Sequence, residues 1–81
     1  MIPPNEFLEK FKNLFDETDL SLIKLETKFK ELEEWSSLTI LSLIVMCEDD
    51  FNTTVTPVEI EKSVFVSDLL KFAENNLNSN E

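Results

Sequence analysis

An all-α fold with a short helix before the last one follows from three observations on this chain. Apolar residues recur at helical spacing in three separate segments, around 7–15, 40–51 and 66–77. The run Thr56-Pro57-Val58-Glu59 has the form of a helix start. No segment alternates apolar and polar residues as a strand does, and Val64-Phe65-Val66 is too short to count. The complete absence of glycine suits helices joined by few tight turns.

The first helix is expected at about 4–16. Phe7, Leu8, Phe11, Leu14 and Phe15 fall at i, i+1, i+4, i+7 and i+8, one face of an amphipathic helix. Pro3 and Pro4 precede it, and Asn5 is a candidate N-cap. Glu6 and Glu9 come early and Lys10 and Lys12 late, as the helix dipole favours. Residues 17–35 read two ways. Leu22, Leu25, Phe29 and Leu32 have helical spacing, and pattern alone allows a helix at 24–34. The alternative is a long loop with at most one helical turn, anchored by Leu25, Phe29 and Leu32.

The second helix is expected at about 37–50, with Ser36 as its cap. Ile40, Leu43, Ile44, Cys47 and Phe51 form a core stripe. A second apolar stripe, Leu38, Leu41 and Val45, lies beside it, and a half-buried helix does not need two. Thr56 caps a short helix at about 57–62, with Pro57 at its first position and Glu59 reaching back. Ser67 is expected to cap the last helix, where Leu69, Leu70, Ala73 and Leu77 continue the period from Val66. The tail, residues 78–81, is expected to fray.

The length suits one domain over 1–81, and such a domain has a small core. Seventeen acids against seven bases, with no histidine, give a net charge of −10. Residues 1–35 carry −4 and residues 36–81 carry −6. A field of this sign disfavours nucleic acid and anionic membranes and favours basic protein partners. Cys47 is alone, so no intrachain disulfide forms. The longest apolar run, Leu38 to Cys47, is far short of the roughly 20 residues of a membrane span. No signal-peptide pattern opens the chain. These features predict a cytoplasmic monomer without membrane insertion.

Trp35 to Phe51 is the segment that points to function. Ser36-Ser37-Leu38 opens an apolar helix that closes on Glu48-Asp49-Asp50-Phe51. This resembles the attachment region of acyl carrier proteins, whose pattern is Asp-Ser-Leu followed by an apolar helix ending in acids and Phe. Thr27-Lys28-Phe29-Lys30-Glu31-Leu32 is similar to the segment that leads into that motif, and Lys62 to Leu70 to the family's last connection. The resemblance covers most of the chain. It implies the four-helix carrier fold, with 17–35 as the loop, and a 4'-phosphopantetheine arm on Ser37. The partners it implies are a phosphopantetheinyl transferase, an acyl- or aminoacyl-loading ligase, and downstream synthase or transferase enzymes. Fatty acid, polyketide, amino acid and surface-polymer pathways all use such domains. The carrier itself is not an enzyme.

Physical chemistry gives a reason for a serine there. The arm is joined through an anionic phosphodiester, and a helix N-terminus offers free N–H groups and a positive dipole end. The competing reading of Ser37 is that it helps Ser36 cap the helix. Leu38, Leu41 and Val45 resemble the positions with which carriers dock on partners; the alternative is that they pack under the 17–35 loop. Two departures from the family pattern stand out. Ser36 replaces the usual Asp, or the His of some peptidyl carriers. Thr39 and Ser42 occupy positions that are acidic in typical fatty acid carriers. Docking would then lean on Glu48, Asp49 and the apolar stripe. The apolar pattern also suggests Ile44, Val55 and Ile60 as shelter for part of a fatty chain. An unmodified, degenerate carrier-like module for protein–protein interaction is the alternative function.

Other candidates point to packing. Cys47 sits on the core stripe with no His or second Cys to make a dyad or zinc site. Glu48-Asp49-Asp50 lacks the spacing of a calcium loop. Trp35 is a candidate hydrophobic staple against Ile40 or Thr39.

Overall fold

The computed structural model describes residues 2–78 and is helical, with no strand among them. Its helices are α1 (Pro4–Lys12), α2 (Ser37–Phe51), α3 (Pro57–Lys62) and α4 (Val66–Asn78). Helix α4 packs against both α1 and α3. The frayed tail expected at 78–81 lies outside the described residues except for Asn78, which closes α4.

Helix α1 is four residues shorter than the expected 4–16. It ends at Lys12, and the chain continues through Leu14 N–H to Phe11 C=O and Phe15 N–H to Lys12 C=O, both at 3.1 Å. These tighter i→i+3 bonds keep Phe15 turned inward after the α-helix has stopped. Asn5 is not the cap. Pro3 holds that position in extended backbone, Pro4 is the first helical residue, and no side chain caps the helix. A carboxylate from the far end of the chain anchors the residue before the cap: Glu74 accepts from Ile2 N–H at 3.2 Å.

Residues 13–36 contain no α-helix. Two 3₁₀ turns, Leu20–Leu22 and Phe29–Glu31, punctuate the segment. The helical spacing of Leu22, Leu25, Phe29 and Leu32 is therefore not used as a helix. Leu22 is exposed, Phe29 is buried, and Leu25 and Leu32 are half-buried against the core. Ile23, not expected as an anchor, is buried as deeply as Phe29. Polar bonds fix the path. Glu34 accepts the backbone N–H groups of Asp16, Glu17 and Thr18 at 3.2, 3.0 and 2.7 Å, and the Thr18 hydroxyl as well. These donors hold its carboxyl below the usual range, the Thr18 hydroxyl most of all.

The segment is also tied to α4. Helix α4 begins at Val66, two residues earlier than a Ser67 cap implies, so Ser67 lies inside it and is not its cap. Its first N–H groups would lack intrahelical partners. Val66 donates to Thr27 C=O at 3.1 Å and Ser67 to Leu25 C=O at 2.8 Å. Asp68 reaches back to accept from Val64 and Phe65 N–H, both at 3.0 Å, and these bonds lower its pKa.

Helix α2 is capped by Ser36, whose hydroxyl accepts from Thr39 N–H at 3.4 Å. It ends at Asn52, whose left-handed backbone (φ 53°) stops the helix where glycine is the usual choice. Thr53 then donates its hydroxyl to Ala73 C=O at 2.8 Å and ties this exit to α4. Helix α3 has the predicted bounds and both bonds of its capping box.

The core is strongly aromatic. Phe29 and Trp35 meet edge to face at 4.7 Å between centroids, Phe11 touches Phe15 at 5.3 Å, and Phe7 lies 5.8 Å from Phe51. Such pairs add about 0.5–1.5 kcal/mol each beyond the burial of their area. Trp35 thus packs chiefly against rings from α1 and the loop and is not merely a local staple on α2.

Candidate functional site

The buried face of α2 is Thr39, Leu43, Met46 and Cys47, at i, i+4, i+7 and i+8. It is turned slightly from the expected stripe. Leu43 and Cys47 are fully buried, while Ile40, Ile44 and Phe51 pack at the flank. Thr39 enters the interior because its hydroxyl donates to Glu34 C=O at 2.8 Å, which satisfies the buried oxygen. The position two residues beyond Ser37 is therefore structural, and an acid placed there would be buried. Ser42 faces solvent.

The turn of the helix leaves the second stripe outside. Leu38 is 75% exposed, Leu41 59% and Val45 53%. They do not pack under the 13–36 segment. Their spacing of three, then four residues puts them in one row along α2. Glu48 and Asp49 continue the helix beyond them and are exposed too. The row thus runs from an uncharged apolar start to an acidic end.

Ser37 is the first residue of α2 and is exposed. Its hydroxyl makes no hydrogen bond among the described residues, since Ser36 does the capping. The N–H groups of Ser37 and Leu38 likewise have no partner among them. An exposed hydroxyl therefore sits beside two free N–H donors at the positive end of a fifteen-residue helix. An anionic ester on that oxygen fits this setting without displacing any existing bond.

A cleft of about 350 Å³ opens beside this helix start, lined by Lys30, Trp35, Ile40, Pro57, Val58, Ile60 and Glu61. Ile60 was expected on such a wall. Ile44 and Val55 are not among the lining residues, and Val55 is fully packed in the core. Ile40, Trp35 and Val58 take their place, a grouping that depends on how the loop meets α3 and that no local pattern shows. Lys30 closes one side by donating its ammonium to Glu61 C=O.

Cys47 is buried, and burial first, then Asp50 and Glu48, push its thiol up to about 12. A thiol in that state is not a nucleophile near neutral pH. No three His, Cys, Asp or Glu side chains among the described residues converge as a metal-holding group. No helix among them is long and apolar enough to cross a membrane. No protein-family model matches the chain.

Proposed function

We propose that this chain is an acyl carrier: Ser37 bears a 4'-phosphopantetheine arm, and α2 presents that arm to partner enzymes. The observation that carries the reading is the division between the two serines. Ser36 holds the cap, and the Ser37 hydroxyl stays exposed and unbonded at the helix start. That removes the competing role of Ser37 as a second cap. The resemblance of Ser36-Ser37-Leu38 and Glu48-Asp49-Asp50-Phe51 to carrier motifs supports the same assignment.

The arm supplies a thiol that holds acyl or aminoacyl groups as thioesters, and partner enzymes do the chemistry. In this reading a phosphopantetheinyl transferase cleaves the pyrophosphate of coenzyme A, joins the phosphopantetheinyl group to Ser37 Oγ as that oxygen loses its proton, and releases adenosine 3',5'-bisphosphate. The free N–H groups of Ser37 and Leu38 face the negative charge of the new phosphodiester. Leu38, Leu41 and Val45 offer apolar contact to the partner, with Glu48 and Asp49 adding attraction to basic surfaces that weakens with salt. The cleft at Trp35, Ile40, Val58 and Ile60 is the place for part of a fatty chain.

A second reading is an unmodified carrier-like interaction module. It is favoured by Ser36, which stands where carriers usually place an Asp. Intact mass after incubation with coenzyme A and a broad-specificity transferase separates the two, run beside Ser37→Ala. The carrier gains one phosphopantetheinyl group and the variant none. Unmodified mass in folded protein, both in that assay and when isolated from its native source, sinks the carrier reading.

A further inference from the structure

Residues 36–81 contain eight acids and two bases, Lys62 and Lys71. The fold brings both bases to one pocket. Lys62 ends α3 and Lys71 lies in the second turn of α4. With Asp68, Phe72 and Asn75 they line a cavity of about 310 Å³. Asp68, Lys71, Phe72 and Asn75 follow i, i+3, i+4 and i+7 and so share a face of α4. Both lysines are exposed, and neither ammonium makes a hydrogen bond or ion pair among the described residues. The acid on the wall, Asp68, keeps its charge: one carboxylate oxygen accepts from Val64 and Phe65 N–H, and Lys71 attracts it through space, so the lining carries two positive charges against one negative. Phe72, half-buried, supplies an apolar wall, and Asn75 an exposed amide. In a chain of net charge −10 this is a local reversal of sign.

We propose that this pocket binds a small organic phosphate ester, with Lys62 and Lys71 on its anionic head and Phe72 against its apolar body. Two ammonium groups on separate elements suit a doubly charged head better than a single charge. The volume is at the small end of ligand sites, enough for a body of about one ring. Exposed lysines act in a high dielectric, so the dissociation constant is on the order of millimolar.

The test is a titration of the ¹⁵N-labelled full chain with phenyl phosphate at constant ionic strength, followed by amide shifts. Saturable changes at Lys62, Lys71, Phe72 and Asn75 are expected. Binding should weaken about tenfold in Lys62→Gln and in Lys71→Gln, and stay unchanged in Lys24→Gln, which removes an exposed charge elsewhere. All three changes are on the surface, and the spectra themselves report whether the fold persists. Inorganic phosphate, which lacks the ring, should bind several-fold more weakly. Shifts that never saturate, or equal weakening in Lys24→Gln, overturn the site. Equal affinity for phenyl and inorganic phosphate overturns the part given to Phe72.

Discussion

Residues 13–36 and helix α2 solve opposite problems with similar material. Both contribute fully buried apolar side chains: Ile23 and Phe29 from the first, Leu43 and Cys47 from the second. The first segment does so without an α-helix. Its backbone is held by side chains, with the Glu34 and Asp19 carboxylates and the Thr27 hydroxyl accepting backbone N–H groups, and by two bonds from the start of α4. Helix α2 satisfies most of its own backbone and has a cap at each end, with the N–H groups of Ser37 and Leu38 left free. It is therefore free to leave a whole row, Leu38, Leu41 and Val45, in solvent. Irregular chain here serves burial, and regular helix serves display.

The largest expected effect is on the loop side. Phe29 contacts Phe11 and Trp35 and is fully buried, so Phe29→Ala should cost about 3–5 kcal/mol, read by urea denaturation. Domains of this size have only about 5–10 kcal/mol in all, so much of the fold's stability would go. A loss under 1 kcal/mol would mean the loop is a cover and not part of the core.

Next comes the cap of α2. Ser36→Ala should cost about 0.5–1 kcal/mol, the low end for caps because the bond is long at 3.4 Å. On the proposed carrier reading, phosphopantetheine uptake at Ser37 should survive it. If Ser36→Ala instead abolished uptake without unfolding, Ser36 would have a role in modification that its capping bond does not explain.

A smaller, local effect concerns Glu34. Its folded pKa lies below the ordinary value of 4.5, so its contribution is complete above that value and is lost as pH falls through the lowered one. Hydrogen exchange should show the Asp16, Glu17 and Thr18 amides losing protection in Glu34→Gln at neutral pH, while α2 amides do not change. Parallel losses in α2 would show that the two regions open together.

The smallest effect on stability is expected on the display row. Leu38→Ala should change stability by no more than about 0.5 kcal/mol, because its side chain is mostly in water. On the proposed carrier reading, acyl transfer by a partner enzyme should nevertheless fall in that variant. Unchanged transfer in a folded protein would remove Leu38 from the docking surface.

The four helices were legible because each has a local signal. The period of 7–15, the Thr56 capping box and the Ser36 cap depend only on neighbouring residues. What misled was also local. Leu22, Leu25, Phe29 and Leu32 repeat with helical spacing, yet the backbone there closes in short turns, and Leu25 C=O accepts from Ser67 N–H at the start of α4. Asn5 and Ser67 have the right side chains for caps, but proline geometry and Asp68 took those tasks. Met46 and Thr39 were missed as core residues. Thr39 goes inside only because Glu34 C=O stands ready to accept its hydroxyl.

By itself the sequence determined which segments coil, where α2 and α3 begin, and which serine stands next to a capping serine. These follow from spacing and from side-chain bonds over three or four residues. Tertiary structure alone decided which of the two apolar stripes of α2 faces water, what walls the cleft beside Ile40, and that Lys62 and Lys71 line one cavity. Each of those depends on contacts between residues distant in the chain, and a helix's periodicity fixes its faces without saying which neighbour will cover them.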